Sequence, residues 1–241
     1  SSVPLARTCR VRSICWTTNR AEFSSWCLKP VDSGLTSPHW LIYAQRLAAL
    51  AQSGMAYCRN PYDLERYHQL QEIAAQMIAE GSAEPVQQIQ GLLHNQAGYA
   101  TPKIDVRGVI FRENKILLVR ELADGGRWTL PGGWVDVGEP PRLAVEREVR
   151  EESGYEVKAT KLLAVYDREL HGHPPHLFHT YKIFILCELV GGCPAESLET
   201  GGADFFPPDA LPELSLSRVT PDEIQRMFEH HADPNLPTDL D

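Results

Sequence analysis

Apolar residues recur with the period of an α-helix through residues 36–97. One stripe starts near Pro38, and we expect Gly54 to end it. A second stripe, with Asp63 as a candidate N-cap, extends to about residue 80, and a third, shorter one covers residues 85–93. This pattern predicts a small all-helical domain over residues 36–97. Because its own core is small, it should pack against a partner subunit or the remainder of the chain.

From residue 102 onward the pattern changes to short, β-rich segments separated by turns. Glu113 and Asn114 give a hairpin signal between the first two segments, at residues 104–111 and 115–119. Further predicted elements are strands at residues 128–130, 157–166, 177–189 and 205–206, and a helix at about residues 221–230. This alternation predicts a mixed α/β domain over residues 102–232. The chain then ends in a tail, residues 233–241, that we expect to be frayed.

Residues 133–155 are the most informative stretch. A glycine loop at Gly132 and Gly133 leads into a predicted helix that begins near Pro140 or Pro141. A proline is tolerated there because a first-turn N–H has no intrahelical partner. Gly154 is a typical C-terminal stop for this helix.

Three glutamates of this helix, Glu148, Glu151 and Glu152, stand at i, i+3 and i+4, which brings their carboxylates to one side. Like charges at this spacing cost about 0.2–0.5 kcal/mol per pair. A divalent cation turns that repulsion into attraction, and Mg²⁺ is bound in proteins by a few carboxylates plus substrate phosphate oxygens. The trio therefore predicts a metal site. The alternative is an exposed helix stabilised by pairs such as Arg147–Glu151.

The same stretch resembles the signature of the Nudix hydrolases: a Gly, five residues, Glu, seven residues, then Arg-Glu-apolar-x-Glu-Glu-x-Gly-apolar. The matching residues are Gly133, Glu139, Arg147, Glu148, Val149, Glu151, Glu152 and Gly154. Tyr155 departs from the pattern, because an aliphatic residue is usual there.

Further stretches resemble a bacterial subfamily that joins a helical N-terminal domain to a Nudix domain and includes CDP-choline pyrophosphatase and ADP-ribose-type hydrolases. They are TPKIDVRGVIF, LVRE, GRWTLPGGW, YDRELHGHPPH and LPELSLSRVT. The resemblance spans about residues 38–232. It implies an α+β fold, in which a small all-helical domain precedes a Nudix α/β/α sandwich with a mixed sheet.

The resemblance also implies roles for the signature residues. Glu148 and Glu152 are expected to be the principal metal ligands, with Glu151 as a further ligand or as the base that activates water. All three are counted as catalytic, and the carbonyl of Gly133 is the usual additional ligand. Mg²⁺ is the expected cofactor, and Mn²⁺ is possible. Glu139 and Arg147 are expected to form a supporting ion pair between loop and helix.

A late acidic residue often completes this site in related enzymes. Gly202 stands near the place where relatives carry that acid, so Glu199 or Asp204 could substitute for it. The alternative is a flexible surface loop with ordinary acids.

Five residues outside the helix are candidates for substrate binding. Arg107 and Arg120 are expected to face substrate phosphates, because guanidinium groups suit phosphate oxygens. Trp128 and Trp134 flank the glycine loop and could stack on a base; core packing is the alternative for both. His176 is expected to contact the group beyond the diphosphate.

His176 belongs to a cluster with His171, His173 and His179. Such a cluster is compatible with zinc, but no cysteine accompanies it and a Pro-Pro loop interrupts it. We therefore favour a loop that faces the substrate.

Charge and cysteine usage limit the kinds of partner and the cellular compartment that we expect. The 241 residues carry a net charge of −9, and residues 196–241 hold eleven acidic and two basic side chains, which accounts for the whole imbalance. Bulk nucleic-acid binding is therefore not expected. No apolar run is long enough to span a membrane. Six cysteines without a CxxC pair favour a reducing, cytoplasmic setting.

Residues 1–35 are basic, poor in acids and without a sustained period. We expect a disordered or non-native leader, and an organellar transit peptide is the alternative.

Together these observations predict a metal-dependent hydrolase that cleaves the diphosphate of a nucleoside diphosphate linked to another moiety, of the CDP-choline or ADP-ribose type, and releases a nucleoside monophosphate. The alternatives are a Nudix-type regulator that binds a nucleotide sugar without catalysis, and an RNA 5′-end pyrophosphohydrolase. The apolar stripe of the helical domain suggests a homodimer.

Overall fold

The computed structural model describes residues 38–82, 84–195, 197 and 199–241. The leader predicted at residues 1–35 lies outside this part. The described part begins with three helices, α1 (His39–Tyr57), α2 (Pro61–Gly81) and α3 (Val86–His94). Their shared core contains several alanines, which allow the helices to approach closely; its buried members are Leu41, Ala44, Ala48, Ala74, Ala75, Ile78, Ile89 and Leu93. Across the described ranges, no helix is long and apolar enough to cross a membrane.

Gly54 does not end α1, contrary to the sequence prediction. The helix continues through it to Tyr57. A Cβ at Gly54 would lie 2.4 Å from the ring of Tyr67 in α2, so this glycine serves a close helix–helix contact. The cap of α2 also differs, because Asn60 accepts the hydrogen bond from Tyr62 N and Asp63 lies in the first turn.

Eight strands and two α-helices follow in the described residues. The strands are β1 (Lys103–Val109), β2 (Phe111–Arg112), β3 (Lys115–Glu121), β4 (Arg127–Thr129), β5 (Tyr155–Asp167), β6 (Thr180–Gly192), β7 (Thr200–Phe206) and β8 (Asp239–Leu240). The helices are α4 (Pro141–Ser153) and α5 (Pro221–Ala232). Glu113 and Asn114 form the predicted hairpin turn, with φ angles of 50° and 58°.

The strands form two sheets. One has the order β1-β6-β5-β8, in which β1 and β6 are parallel, β6 and β5 antiparallel, and β5 and β8 parallel. In the other, β3 pairs antiparallel with β2, β4 and β7. The predicted strand at 104–111 is therefore two strands in different sheets.

Successive side chains of β3 point to opposite faces of its sheet, and each face is covered by a different helix. Ile116 and Leu118 pack in the cluster that contains α5, whereas Leu117 packs in the cluster that contains α4. Complete burial of such a side chain contributes roughly 1.5–3 kcal/mol. The predicted α+β architecture, a helical region followed by a sandwich with a mixed sheet, is confirmed.

Two segments are more ordered than the sequence indicated. Residues 200–204, treated as a loop, belong to β7 and pair with β3. The tail is not frayed: β8 adds a strand beside β5, and Asp239 binds Arg226 with two hydrogen bonds of 2.6 and 2.7 Å. The pairing of β8 with β5 joins residues distant in sequence, which is why local composition did not reveal it.

Candidate active site

An open cavity of about 930 Å³ lies where the glycine loop, α4 and the segment after β5 meet. Its lining combines both signs of charge. The acidic residues are Asp105, Asp124, Asp136, Glu148, Glu151, Glu152 and Glu199, and the basic ones are Arg107, Arg147, Arg168, His176 and Arg218. Such a lining can bind an anionic group on its arginines and a cation on its carboxylates.

Glu152 is held under the glycine loop. Its side chain accepts a hydrogen bond of 2.8 Å from Gly132 N, and only 6% of the residue is exposed. Gly132 has φ +145°, and a Cβ there would lie 2.0 Å from the carbonyl oxygen of Val106, so only glycine fits. Burial raises the pKa of Glu152 to about 7, although the charge of Arg107 and the Gly132 N–H oppose that rise.

Arg147 joins the signature residues to one another. It donates two hydrogen bonds, of 2.9 and 2.8 Å, to the carboxylate of Glu139, which fixes the loop against α4. Its Nη1 also donates to Glu148 at 2.8 Å and to Glu151 at 3.1 Å. Burial raises the pKa of Glu148 despite the charge of Arg147.

Gly133 lies directly against Glu148. A Cβ at this position would be 3.2 Å from the Glu148 carboxylate, so a side chain here would crowd it. The carbonyl oxygen of Gly133 accepts a hydrogen bond of 2.9 Å from Val106 N. That oxygen keeps its second lone pair for another partner.

The chemistry of these donors fits a hard divalent cation, because all are carboxylate or carbonyl oxygens. A nearby cation would also favour the ionised forms of Glu148 and Glu152, whose pKa values burial raises. Within the part of the chain that the structure describes, however, no three His, Cys, Asp or Glu side chains are grouped as a metal site. The predicted convergence is incomplete, because Glu152 is buried whereas the Glu151 side chain is 53% exposed.

The arginines of the cavity differ from the predicted pair. Arg107 lines it, but its guanidinium forms a bidentate pair with Asp105 at 2.9 Å and donates to Leu130 O. Arg120 is exposed, donates to Gly126 O at 3.2 Å and is not part of the lining.

Arg168 and Arg218 line the cavity and were not predicted. Arg168 is 5% exposed and donates to the carbonyls of Pro174 and Ser217, and burial lowers its pKa. Arg218 contacts Glu121 at 3.1 Å. Both lie in stretches that carried the family resemblance, YDRELHGHPPH and LPELSLSRVT, but local sequence gave no reason to choose these residues.

The two tryptophans have different surroundings. Trp134 lines the cavity and is 51% exposed, with its ring 6.4 Å from that of His176, which lines the cavity too. Trp128 is outside the lining and packs edge-on against Phe206 at 4.8 Å, in agreement with the core-packing alternative.

The histidine cluster does not act as one group. His171 contacts Asp241, His179 contacts Asp167, and His173 is buried against Glu223 and Lys182. Zinc binding by this cluster is therefore not supported among the described residues.

The two candidates for a late acid also separate. Glu199 lines the cavity, whereas Asp204 is not part of the lining, and its carboxylate accepts from Phe205 N at 2.7 Å.

Comparison with known proteins identifies this arrangement. Residues 101–227 match the NUDIX domain family. The chain belongs to the Nudix hydrolases. Residues 38–93 of this Nudix hydrolase match a second family, described as a UDP-X-like, N-terminal oligomerisation domain.

Individual relatives agree with this assignment. A Bacillus subtilis protein named "Putative ADP-ribose pyrophosphatase YjhB" is 45% identical over 202 residues, which cover 84% of this chain and 97% of the relative. A UDP-X diphosphatase crystal structure is 31% identical with a TM-score of 0.54, covering 84% of this chain and 98% of that one. An ADP-ribose pyrophosphatase structure from Streptococcus suis is 39% identical with a TM-score of 0.54, covering 58% and 100%. The protein is therefore an enzyme of the Nudix pyrophosphatase type.

Proposed function

We propose that this Nudix hydrolase cleaves the diphosphate of a nucleoside diphosphate linked to another moiety, with the help of a divalent ion. The products are a nucleoside monophosphate and the phosphorylated remainder. The observation that carries the proposal is the cavity in which α4 carboxylates and the arginines Arg168 and Arg218 occupy one lining. The non-bridging oxygens of a diphosphate that joins two organic groups carry negative charge, which arginines bind directly and carboxylates bind through a divalent ion.

Glu148, Glu152 and the Gly133 carbonyl are the proposed metal ligands, and Glu151 is a further ligand or the base. Nudix hydrolases generally use divalent metal ions; Mg²⁺ is the first candidate and Mn²⁺ the second. When bound, such an ion would neutralise developing negative charge on the phosphate oxygens. Glu148 accepts from Arg147 at 2.8 Å through Oε1, so Oε2 is the oxygen proposed to bind the ion.

The remaining roles follow from position in the cavity. Glu151, more exposed than Glu152, is proposed to accept a proton from the attacking water if it is not a metal ligand. Arg168 and Arg218 are proposed to hold the diphosphate oxygens in line with that water. Trp134 and His176 form an aromatic wall suited to a base or a sugar.

ADP-ribose is the first substrate to test, because two similar proteins carry ADP-ribose pyrophosphatase in their names. The similarity to UDP-X diphosphatase supports uridine derivatives as a second group. CDP-choline remains in the panel because the family resemblance of the sequence suggested it.

The test is a panel of these compounds assayed with Mg²⁺ and with Mn²⁺, with identification of the released monophosphate. We expect turnover of at least one member, and Glu152→Gln should lose most of it while remaining folded. Glu156→Gln, at an exposed acid four residues further on, is the matched control and should retain wild-type turnover. Absence of turnover across the panel with both metals would refute the proposal.

We also propose that the enzyme is an oligomer, with a homodimer as the first expectation. The helical region matches a family described as an oligomerisation domain. It also exposes several large apolar side chains: Tyr43, Leu50, Tyr57, Tyr62, Ile73 and Leu92. Such surface is suited to burial against a second copy.

A further inference from the structure

Residues 176–179 connect the helical region to the active-site cavity. His176 lines the cavity at one end of this segment, and Thr180 lines it just beyond the other. Between them, Leu177 packs against the core of the three N-terminal helices. One short segment thus touches both the substrate cavity and the helical region.

Gln45 of α1 makes a polar contact with the backbone of this segment. Its Nε2 donates to the carbonyl oxygen of His176 at 2.8 Å and reaches that of Leu177 at 3.4 Å. These carbonyls lie more than 130 residues along the chain from Gln45, so the contact depends on the packing of α1 against the catalytic part. A side-chain amide is well suited here, because one NH₂ group can donate to both carbonyls.

The His176 ring, at the start of the segment, forms part of the cavity wall. The His176 ring is held by its own neighbour, with Nδ1 lying 3.0 Å from Phe178 O and 3.3 Å from Phe178 N. The ring therefore moves with the backbone of the segment. Because the Trp134 ring is 6.4 Å away, a shift of the backbone changes the width of the wall that the two rings form.

We propose that Gln45 is a positioning residue for the active site: by holding the backbone of residues 176–177, it sets the spacing of the His176–Trp134 wall and so the discrimination between the groups attached to the nucleoside diphosphate. The inference rests on the proposed function for its substrate readout. It assigns a second role to α1, within a helical region whose matched family is described by oligomerisation. Gln45 acts through His176 and has no place in the cavity lining itself.

The test compares three variants in the full chain. Gln45→Met keeps the length of the side chain and removes its N–H donors, whereas Gln45→Lys restores a donor. Gln52→Met is the matched control, because Gln52 lies on the same helix and its amide donates to Gly98 O at 3.2 Å and not to the backbone of residues 176–177. For each protein, kcat and KM are measured across the substrate panel, together with NMR signals of the His176 ring and the Trp134 indole N–H.

We expect Gln45→Met to raise KM about threefold to tenfold, by different factors for different attached groups, because that is the range expected from loss of one hydrogen bond. The value of kcat should stay within about twofold, since the α4 carboxylates are untouched. The His176 and Trp134 signals should shift. Gln45→Lys should restore KM in part, and Gln52→Met should leave both readouts unchanged.

An unchanged KM profile with unshifted signals in Gln45→Met would overturn the inference. So would equal changes in Gln45→Met and Gln52→Met, because the effect would then be general to α1. If Gln45→Met also lowers thermal stability, Gln45→Lys distinguishes a positioning role from a loss of stability. Recovery of KM in Gln45→Lys supports the positioning role, and no recovery overturns the inference. If the wild type cleaves no member of the panel, the proposed function fails, and the NMR comparison alone tests whether Gln45 sets the wall.

Discussion

Replacement of Glu223 by glutamine should destabilise the protein strongly, although Glu223 lies outside the cavity lining. Its carboxylate accepts hydrogen bonds of 2.6 and 2.7 Å from Lys182 Nζ and lies 2.9 Å from His173 Nε2. Lys182, Glu223 and His173 are each at most 3% exposed. The cluster also fixes the cavity wall, because Lys182 donates to Arg218 O and His173 contacts Leu216 O.

The cost follows from the burial of the pair. Breaking a buried ion pair by removal of one partner costs about 3–5 kcal/mol. Burial disfavours the ionised form of Glu223, but the charge of Lys182 and the hydrogen bond from His173 outweigh it and lower the pKa from 4.5 to about 2. The folded state therefore favours the ionised carboxylate at neutral pH.

The pH dependence has a definite sign. Because the pKa is lower in the folded state, the unfolded chain binds more protons, and stability is lost as the pH falls from about 4.5 towards 2. Denaturant unfolding at pH 7 should show Glu223→Gln to be about 3–5 kcal/mol less stable than wild type. That difference should shrink as the pH falls through this range.

The control is Glu229→Gln, at an exposed ion pair with Arg226 on the same helix. Exposed pairs contribute about 0–1 kcal/mol, so this variant should stay close to wild type at every pH. A Glu223→Gln variant within 1 kcal/mol of wild type at pH 7, or a difference independent of pH, would refute the reasoning.

Three further predictions concern packing, substrate contacts and assembly. Gly54→Ala should lower the free energy of unfolding by about 1–3 kcal/mol, because its Cβ would lie 2.4 Å from the Tyr67 ring. Gly91→Ala meets no atom within 4 Å and should stabilise α3 by up to about 1 kcal/mol. Thermal unfolding of both variants measures the difference. Arg168→Gln should raise KM about tenfold or more, because hydrogen bonds to charged groups contribute about 1.5–3 kcal/mol. Arg120→Gln, outside the cavity lining, should change KM less than twofold. A larger effect of Arg120→Gln than of Arg168→Gln in steady-state kinetics would favour Arg120, the residue predicted from the sequence. Light scattering should give twice the chain mass, and a monomer at micromolar concentration would end the dimer proposal.

Local sequence sufficed where one stretch of chain contains the whole feature. The glycine loop and the α4 glutamates are fixed by spacing within about twenty residues, and Gly154 adopts the predicted left-handed end of the helix, at φ +76°. The Glu139–Arg147 pair, which the family resemblance implied, is present too, and it joins a loop and a helix that are adjacent in the chain.

Features that join distant segments escaped prediction. Arg168 follows β5, and its neighbour Ser217 precedes α5, so their meeting depends on the arrangement of the sheets. Trp128 and Trp134 flank the same loop, yet only Trp134 faces the cavity, because Trp128 belongs to β4 and packs on Phe206. The tail forms β8 by pairing with β5, more than seventy residues earlier in the chain, for which short-range patterns carry no signal.

The central claim is that the carboxylates of α4 bind the divalent ion on which diphosphate cleavage depends. The most direct measurement is Mn²⁺ binding, followed by electron paramagnetic resonance, in the wild type, in Glu148→Gln/Glu152→Gln and in the control Glu156→Gln. The account predicts that wild type and control take up the ion with equal affinity and that the double variant, still folded, loses at least tenfold in affinity. Equal uptake by all three proteins would contradict it.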